Sequence, residues 1–582
     1  GGGARPGTRE EEILCGLFSE VLGVESVSVD DGFFELGGDS IVSIQLVSRA
    51  RRAGLVLSAR EVFQHRTPRA LAAVAVPVSG AVVEEAGAGL GVVPQTPIIG
   101  WLRELGGPVD GFQQAMVVRT PADATRERLE TALQTVLDRH DVLRSRLVRG
   151  SDAWQLEVAE PGSVLAAQVL SEASADLTAE ARDAQGRLDP DAGVMVQAVW
   201  FAESGRLLVM AHHLVVDGVS WRVLLPDLAR AYEGVELEPV GTSFRRWAQE
   251  LTTLDRTHEL DLWKTQLEGT DVPLGSRPLD PDTDTASTVE HLHLSLPAEV
   301  TGPLLTEVAS RYRAGVNDVL LTAFARAVAG WRGDASREVL VDLEGHGREN
   351  VVDGVDLSRT VGWFTSMFPV RLDAGAAGED PGRALKRVKE QLHALPDHGI
   401  GYGLLRHTNP ETAAVLSPLP SPQLGFNYLG RFDASAGQGE PWSLCADVDL
   451  GDGRDPNMPL THVLDLNAAT LDTSDGPQLN ADWSWPSALF TPDQVQELAE
   501  AWFAELRALV THVADPHAGG LTPSDVRPLV TVTQDQIDRL EADHGRLADI
   551  LPLSPLQQGL FFHAVYDEHG EDVYTVQLAL DI

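Results

Sequence analysis

The residues best suited to proton chemistry are two adjacent histidines that precede an acid, Asp217, and a glycine. They stand in the segment AHHLVVDGVSW, residues 211–221, directly after the apolar run LLVM. That run predicts a buried strand, and neighbouring strand residues point to opposite faces, so only one of His212 and His213 can face a given pocket. For the same reason the pair is a poor metal site, and no further His or Cys cluster completes a ligand set. A core histidine with satisfied hydrogen bonds is the structural alternative.

A second candidate is the acidic, glycine-containing loop EGHGRE at residues 344–349, which follows a predicted strand over 338–343. Two glycines would let such a loop pass close to a substrate. The alternative is an ordinary charged turn between a strand and a helix.

A serine at the start of a predicted helix is the third candidate. Ser40 ends the segment FFELGGDS and precedes residues 41–47, whose apolar spacing is helical. At a helix start, unpaired backbone N–H groups and the helix dipole favour a phosphate group. An ordinary serine N-cap is the alternative.

The elements that must position these residues divide the chain. Apolar spacing predicts helices over residues 10–22 and from Ser40, and a further short helix opened by Pro68. Residues 76–91, rich in Val, Ala, Gly and Glu without steady periodicity, predict a mobile linker. Alternating strand and helix signals beyond the linker predict an α/β body, and residues 534–545 predict a polar helical bridge.

Composition narrows the class of protein. A chain of 582 residues with 43% hydrophobic residues predicts more than one packed domain, and a net charge of −41 argues against a nucleic-acid partner. No apolar run approaches the length of a membrane span, and the N-terminus lacks the apolar core of a signal peptide. Two cysteines far apart in the chain predict a reducing compartment. We therefore expect a cytoplasmic protein with no membrane partner.

Lysine content bears on one class of chemistry. The chain has only three lysines, Lys264, Lys386 and Lys389, and we expect all three on solvated helix faces. An enzyme that uses pyridoxal phosphate needs a lysine in a pocket to form its Schiff base. The sequence therefore disfavours pyridoxal phosphate as a cofactor.

The segment FFELGGDS resembles the attachment sequence of peptidyl carrier domains from nonribosomal peptide synthetases. The resemblance implies a small four-helix-bundle carrier (thiolation) domain over residues 1–78, followed by a linker over 79–91. It implies that Ser40 carries 4′-phosphopantetheine covalently, after modification by a phosphopantetheinyl transferase. The partner would then be an aminoacyl or peptidyl thioester on this carrier.

The segment around His213 resembles the condensation superfamily of the same synthetases, whose members form a V-shaped, two-lobed α/β fold like that of chloramphenicol acetyltransferase. The resemblance implies a domain over residues 92–526, with an N-lobe at about 92–274 and a C-lobe at about 290–526. In this family the residue that matches His213 is the working histidine, with His212 beside it, and the acid that matches Asp217 mainly holds the loop through an ion pair.

The final segment, residues 527–582, contains LPLSPLQQGLFFH, which resembles the opening of a following condensation domain. No second histidine motif follows, so we expect a linker and a non-catalytic fragment of a longer bacterial synthetase. The resemblance then implies an adenylation domain upstream and a condensation domain downstream as partners.

Four short segments resemble the signatures of epimerization domains, and they occur in the order that the family has. They are EGHGRE at 344–349, TVGWFT at 360–365, GIGYG at 399–403 and FNYLG at 426–430. Together they favour epimerization over amide-bond formation. Two departures from the family pattern are Ile99, where the family usually has Gln, and the pair Thr461-His462.

The resemblance implies that Glu344 and His213 face each other across the substrate Cα, one as base and the other as acid, without a metal or pyridoxal phosphate. A thioester carbonyl is a good electron sink, so the carbanion can be held as an enolate. Which group acts first on the L form stays open. Asn427 or Tyr428 could steady the enolate oxygen, as could the backbone of residues 218–219.

Several alternatives remain at this stage. Tyr428 is equally expected as a core residue, because buried tyrosines commonly pack in this way. The domain could instead form amide bonds between two carrier-bound substrates, which would use His213 but not the acidic loop. It could also be an inactive docking platform. The substrate side chain and the peptide product are not predicted by the sequence.

Overall fold

The protein is described from a computed structural model. The structure describes residues 4–566 apart from short gaps, which are residues 25, 35, 39, 59–60, 63–64, 78–83, 86, 175, 270–271, 334–336, 350, 374, 377, 434–438, 446–447, 449, 452 and 528. It also leaves out the side chains of residues 40, 41, 48, 52, 433 and 562–566.

The N-terminal region is a small helical unit with its own core. Its helices are Arg9–Leu22, Ser40–Arg52 and Pro68–Val74, and two short strands, β1 (Leu55–Val56) and β2 (Val76–Pro77), pair antiparallel. The helix Arg9–Leu22 begins at a capping box, in which the Thr8 side chain and the Glu11 carboxylate each bind the other's backbone N–H. Apolar side chains from these three helices form the core, among them Leu14, Phe18, Leu46 and Leu71.

The first half of the larger domain contains two sheets. The strands β3 (Gly91–Val93), β5 (Ser145–Arg149) and β6 (Trp154–Val158) form a three-stranded sheet in the order β3-β6-β5. A second sheet has the order β4-β9-β8-β7 and contains β4 (Gln113–Arg119), β7 (Leu170–Glu172), β8 (Val196–Phe201) and β9 (Arg206–His212). The helices here are Pro97–Leu105, Arg126–Arg139, Ala166–Val169, Leu177–Gly186, Gly218–Tyr232, Phe244–Leu251 and Leu260–Leu267.

The second half is built on one mixed sheet of six strands in the order β10-β15-β14-β13-β11-β12. These strands are β10 (Val289–Leu296), β11 (Glu338–Gly345), β12 (Ser366–Asp373), β13 (Leu424–Asp433), β14 (Leu464–Thr473) and β15 (Gly476–Pro486). Its helices are Ala298–Pro303, Ala309–Tyr312, Val316–Arg332, Pro381–His393, Ile400–His407, Pro410–Leu416, Pro492–Val513, Pro523–Val526, Gln534–His544 and Pro555–Tyr566. The strand β11 pairs parallel with β13, and β13 pairs parallel with β14.

Two large hydrophobic cores follow these halves, but the chain crosses between them. Trp363 and Phe364, which lie between β11 and β12, pack into the core of the first half. Trp263 and Leu267 precede residue 274, yet they pack into the core of the second half. The two halves are therefore joined by buried apolar contacts beside the segment that contains the acidic loop.

The expectation that all three lysines are solvated is wrong for Lys389. Its side chain is buried, and its ammonium group donates to both carboxylate oxygens of Asp525 (2.7 and 2.8 Å) and to the Tyr312 carbonyl (3.0 Å). The sequence did not indicate that the segment around Asp525 covers this face of the helix Pro381–His393. Because a buried ammonium group needs such partners, Lys389 is an ion-paired core residue.

Two sequence expectations concern the remaining helices. The predicted bridge over 534–545 is confirmed by the helix Gln534–His544, which begins at a capping box formed by Thr533 and Gln536. Residues 567–582, the last part of the predicted condensation-domain fragment, lie outside the described residues. Within the described part of the chain, every helix is too short or too polar to span a membrane.

Candidate active site

His213 lies at the point where the second sheet ends. The strand β9 stops at His212, and His213 opens a single helical turn, His213–Val215, while its backbone N–H donates to the Phe112 carbonyl (2.8 Å). The half-buried imidazole stacks on the Phe112 ring with 4.7 Å between ring centroids. The Trp363 ring is tilted relative to the imidazole, and its centroid lies 4.6 Å from the imidazole centroid. Two aromatic rings thus fix the plane of the imidazole.

A glutamine on the neighbouring strand β4 sets the hydrogen bonding of His213. The Trp221 indole N–H donates to Gln114 Oε1 (2.9 Å), which turns the Gln114 amide nitrogen towards His213 Nε2, 3.1 Å away. In the neutral ring Nε2 is therefore the acceptor, and its lone pair is where a proton can be taken up. Burial lowers the pKa of His213 below its ordinary value, so the ring is a neutral base near pH 7.

His212 points elsewhere, as the strand alternation predicts. Its ring is fully buried, with Nε2 2.7 Å from the Val109 carbonyl and Nδ1 accepting from the Leu214 backbone N–H (3.1 Å). Burial lowers the pKa of His212 to about 4. With both ring nitrogens bonded to the backbone, His212 holds the turn that presents His213.

Asp217 joins the histidine segment to the acidic loop. It caps the helix Gly218–Tyr232 by accepting from the Ser220 backbone N–H (2.8 Å), and it accepts from both terminal nitrogens of Arg348 (2.6 and 3.0 Å). The Phe364 backbone N–H also donates to Asp217 (3.1 Å). Burial opposes the charge, but Arg348 outweighs it and holds the pKa of Asp217 below its usual range. This buried ion pair fixes the loop 344–349 against the turn that carries His213.

Glu344 stands near the end of β11, on the other side of that connection. Its carboxylate accepts from the Asn427 side-chain amide on β13 (3.0 Å) and keeps contact with solvent, whereas Arg348 and Glu349 in the same loop are buried. Desolvation by the neighbouring protein atoms, reinforced by the charge of Asp465, raises the pKa of Glu344 to about 7. Glu344 is therefore the carboxylate of this loop that can exchange a proton near neutrality.

One segment brings charge to both candidate residues. The chain between β13 and β14 runs beside β4, where the Gln113 backbone N–H donates to the Gly453 carbonyl (2.7 Å) and the Cys445 N–H donates to the Val117 carbonyl (2.9 Å). The next residue, Arg454, places a positive charge that lowers the pKa of both His213 and Glu344. The two candidate groups therefore share one electrostatic environment.

The other predicted supporting residues are placed as follows. Tyr428 follows Asn427 on β13, so its side chain points to the opposite face of the sheet. There its hydroxyl lies 2.9 Å from the Thr470 hydroxyl, and its ring packs against the core of the second half. This placement favours the packing alternative for Tyr428. Gly218 and Val219 open the helix that Asp217 caps.

A small pocket, open to solvent, is lined in part by Trp363. Apolar side chains from both halves of the domain line most of it, including Ile98, Trp101, Trp247 and Ile400. Trp363 also contacts His213, so this pocket and the candidate site share one aromatic side chain.

The predicted attachment serine begins the helix Ser40–Arg52, while its side chain and Asp39 lie outside the described residues. The first turn of this helix contains no acidic residue, so its N–H groups and dipole suit a phosphate diester. Gly37 lies against the Arg431 guanidinium, close enough that a side chain there would collide with it. Arg431 belongs to β13, the strand that carries Asn427, so the start of the serine helix is next to the sheet of the candidate site.

Sequence reasoning missed several residues of the site. Gln114 hydrogen-bonds to His213 from a distant strand. The charges of Arg454, Asp465 and His462 change the pKa of Glu344, and His462 and Asp465 lie beneath it, bonded to each other. The departure at Thr461-His462 was the only sequence signal among them. Among the residues that the structure describes, no group of three or more His, Cys, Asp or Glu side chains could hold a metal ion.

Comparison with known families identifies the class. Residues 103–527 match the family described as Condensation domain, and residues 12–75 match the family described as Phosphopantetheine attachment site. The chain therefore belongs to the condensation-domain family, and a phosphopantetheine attachment domain precedes its condensation-family domain. The predicted fold class, a carrier domain followed by an α/β domain of the condensation superfamily, is confirmed.

The relatives are nonribosomal peptide synthetases. A linear gramicidin synthase from Brevibacillus parabrevis is 38% identical over 603 residues, which cover 99% of this chain and 12% of that protein. Chondramide synthase cmdD of Chondromyces crocatus is 37% identical over 593 residues, covering 96% of this chain and 15% of that protein. The chain therefore spans only a small part of the length of these synthetases.

Solved structures give a finer comparison. The epimerization domain from the third module of tyrocidine synthetase B matches with a TM-score of 0.65 and 27% identity, covering 74% of this chain and 99% of that chain. The X-domain from teicoplanin biosynthesis shares the fold, with a TM-score of 0.57 and 19% identity over 75% of this chain and 98% of that chain.

Proposed function

We propose that this chain epimerizes the Cα of an L-aminoacyl or L-peptidyl thioester tethered to its own carrier domain, giving the D form. One of His213 and Glu344 removes the Cα proton, and the other returns a proton to the opposite face. The observation that carries the proposal is Glu344, a solvent-accessible carboxylate whose pKa is raised to about 7 by desolvation. The resemblance to the tyrocidine synthetase epimerization domain supports it.

The proton affinities of the two groups suit a reversible transfer. Because the pKa of Glu344 is raised to about 7 and that of His213 is lowered, the pair just below neutral pH holds its proton on Glu344, with a neutral His213. One partner is then ready to donate and the other to accept, and the roles exchange in the reverse direction. Which group meets the L substrate depends on the face that each approaches.

The carrier domain delivers the substrate. When bound at Ser40, 4′-phosphopantetheine supplies the thiol that holds the substrate as a thioester, whose carbonyl makes the Cα proton removable. The first turn of the serine helix contains no acidic residue, and its backbone N–H groups would hold the phosphate. Arg454 contributes a positive charge that acts on both candidate groups, and it would stabilise negative charge that develops on the thioester carbonyl oxygen.

The test is to load Ser40 with an L-aminoacyl pantetheine deuterated at Cα and then release the amino acid for chiral and mass analysis. Epimerization predicts D product together with loss of deuterium to solvent water. If both configuration and label are retained, and an amide forms only when a second loaded carrier is added, the domain is a condensation enzyme. Retention without any product under either condition would indicate a docking platform.

The pH dependence of deuterium washout should be bell-shaped, with its maximum below pH 7. On the basic side the rate falls as Glu344 loses its proton near pH 7. On the acidic side it falls as His213 becomes protonated, below the ordinary histidine value of 6.5. Initial rates of washout between pH 5 and 9 measure both limbs. A rate that rises steadily from pH 7 to 9 would contradict a protonated Glu344 as one of the partners.

A further inference from the structure

A buried histidine lies between two carboxylates beneath the candidate site. His462, which is 6% exposed, places Nδ1 2.7 Å from Asp465 Oδ1 and Nε2 3.0 Å from Asp342 Oδ2. A ring with a carboxylate at each nitrogen must donate through both, so it is an imidazolium. Burial works against the charged ring, but the two carboxylates outweigh it and raise the pKa of His462 to about 10.

The sheet register places this ion triad directly below Glu344. Asp342 on β11, Gly425 on β13 and Asp465 on β14 are neighbours across the sheet. Two residues further along, on the same face, come Glu344 on β11 and its partner Asn427 on β13. The triad and the candidate carboxylate therefore occupy successive rows of one face.

Gly425 creates the space for the imidazolium. A Cβ atom at this position would lie 2.0 Å from Asp465 Oδ1 and 2.7 Å from His462 Nδ1. Any larger residue in the middle of the row would displace His462 or separate it from Asp465. The arrangement is thus a built site that requires a glycine on β13 and a histidine before β14.

We propose that His462 is a positioning residue that controls the proton affinity of Glu344 through the Asp342–His462–Asp465 triad. With both acids ionised and the histidine protonated, the triad carries one net negative charge one row below Glu344. Changing the charge of a single member therefore changes the pH at which Glu344 takes up its proton. This inference rests on the proposed function, in which Glu344 carries the Cα proton.

Among the residues that the structure describes, four charged groups have the largest effect on the pKa of Glu344. Asp342 lies on its own strand and Asp465 on β14, and both raise the pKa of Glu344. His462 and Arg454, in the segment between β13 and β14, lower it. The cross-strand neighbour on β12 is the uncharged Met367, and the neighbour on β13 is the neutral Asn427. The triad supplies three of these four charges, and those three can be changed one at a time.

Variants of the triad should shift the protonation midpoint of Glu344, and the direction of the shift should depend on the charge that is removed. Asp465→Asn removes a negative charge, so the protonation midpoint of Glu344 should fall by about one pH unit. Asp342→Asn should shift it the same way. His462→Asn removes the positive charge and leaves two carboxylates that compete with Glu344 for a proton, so the midpoint should rise and the titration should broaden.

The measurement is the pH dependence of carbodiimide and glycinamide labelling of Glu344 in the holo chain, read by peptide mass spectrometry. Carbodiimide reacts with the protonated carboxyl group, and Glu344 is accessible to solvent, so the midpoint reports its protonation without any need for turnover. The basic limb of deuterium washout is recorded on the same variants. A matched control is His140→Asn, which breaks another buried histidine–carboxylate contact (His140 to Asp227, 2.8 Å) and should leave the Glu344 midpoint in place.

The two readouts separate the two hypotheses. Opposite shifts of the labelling midpoint support the triad, whether or not washout is observed. Washout that is absent in the unmodified chain, with those shifts present, refutes epimerization and leaves the triad standing. The inference is overturned if the labelling midpoint of Glu344 is the same in the unmodified chain and in folded Asp465→Asn and His462→Asn variants. It is also overturned if the control His140→Asn shifts the midpoint as the triad variants do.

Discussion

Replacing Glu344 with Gln is expected to slow deuterium washout by roughly 10²–10⁴-fold, the usual range for loss of a general acid–base group. Gln keeps the size of the side chain and can still bond to Asn427 but cannot carry the proton. His213→Asn should have an effect of the same order, because a two-sided proton exchange needs both partners. The measurement is single-turnover washout from the loaded carrier, with loading at Ser40 quantified by mass spectrometry.

The control for Glu344→Gln is Glu338→Gln on the same strand. Glu338 is the exposed first residue of β11, 3.9 Å from Arg371, so this change repeats the chemistry away from the site. Glu338→Gln should retain the unmodified rate. If Glu344→Gln retained it too, with loading and folding intact, the carboxylate would have no part in proton transfer. If only His213→Asn abolished activity, a single-base exchange or a condensation reaction would be favoured.

The sequence predicted those parts of the site that local spacing determines. The apolar run before His212 predicts a strand, and alternation along it separates His212 from His213, as their hydrogen bonds confirm. The strand before Glu344 is likewise found, as β11. Such features depend on neighbours within a few residues, which is the range over which periodicity and turn chemistry act.

Contacts between distant segments could not be predicted in this way. The orientation of Gln114 depends on the register between β4 and β9 and on Trp221, which lies 107 residues further along the chain. The burial of Lys389 depends on a partner 136 residues away. A single sequence contains no signal for which polar residues will meet across a sheet, so the groups that tune His213 and Glu344 emerge only from the fold.

The proton carriers themselves therefore follow from motifs, whereas their proton affinities follow from tertiary structure. The same loop that carries Glu344 also carries Arg348, and only the fold shows that one faces solvent while the other is buried against Asp217. Because Glu344 and Arg348 lie in the same six-residue loop, the ion pair between Arg348 and Asp217 connects the loop of Glu344 to the segment of His213. Breaking it should affect both stability and turnover.

Asp217→Asn is expected to destabilise the condensation-family domain by about 3–5 kcal/mol, the usual cost of leaving one member of a buried ion pair without its partner. Arg348 is 4% exposed and Asp217 is 3% exposed, so water cannot replace the lost carboxylate. The midpoint of urea unfolding, followed by tryptophan fluorescence, measures the effect. Washout should fall as well, because the loop 344–349 loses its attachment to the turn that carries His213.

A double variant distinguishes the lost ion pair from simple disruption of the helix cap. Asp217→Asn combined with Arg348→Gln removes both charges, so it should destabilise the domain by less than the sum of the two single variants. The exposed pair formed by Arg149 and Asp191 (2.9 Å) is the matched control, and Asp191→Asn should cost at most about 1 kcal/mol. Strict additivity of Asp217→Asn and Arg348→Gln would mean that the two residues act separately. In that case the loop 344–349 would be held beside His213 by its other contacts, which include the packing of Trp363 and Phe364 and the Ser220–Gly362 hydrogen bonds.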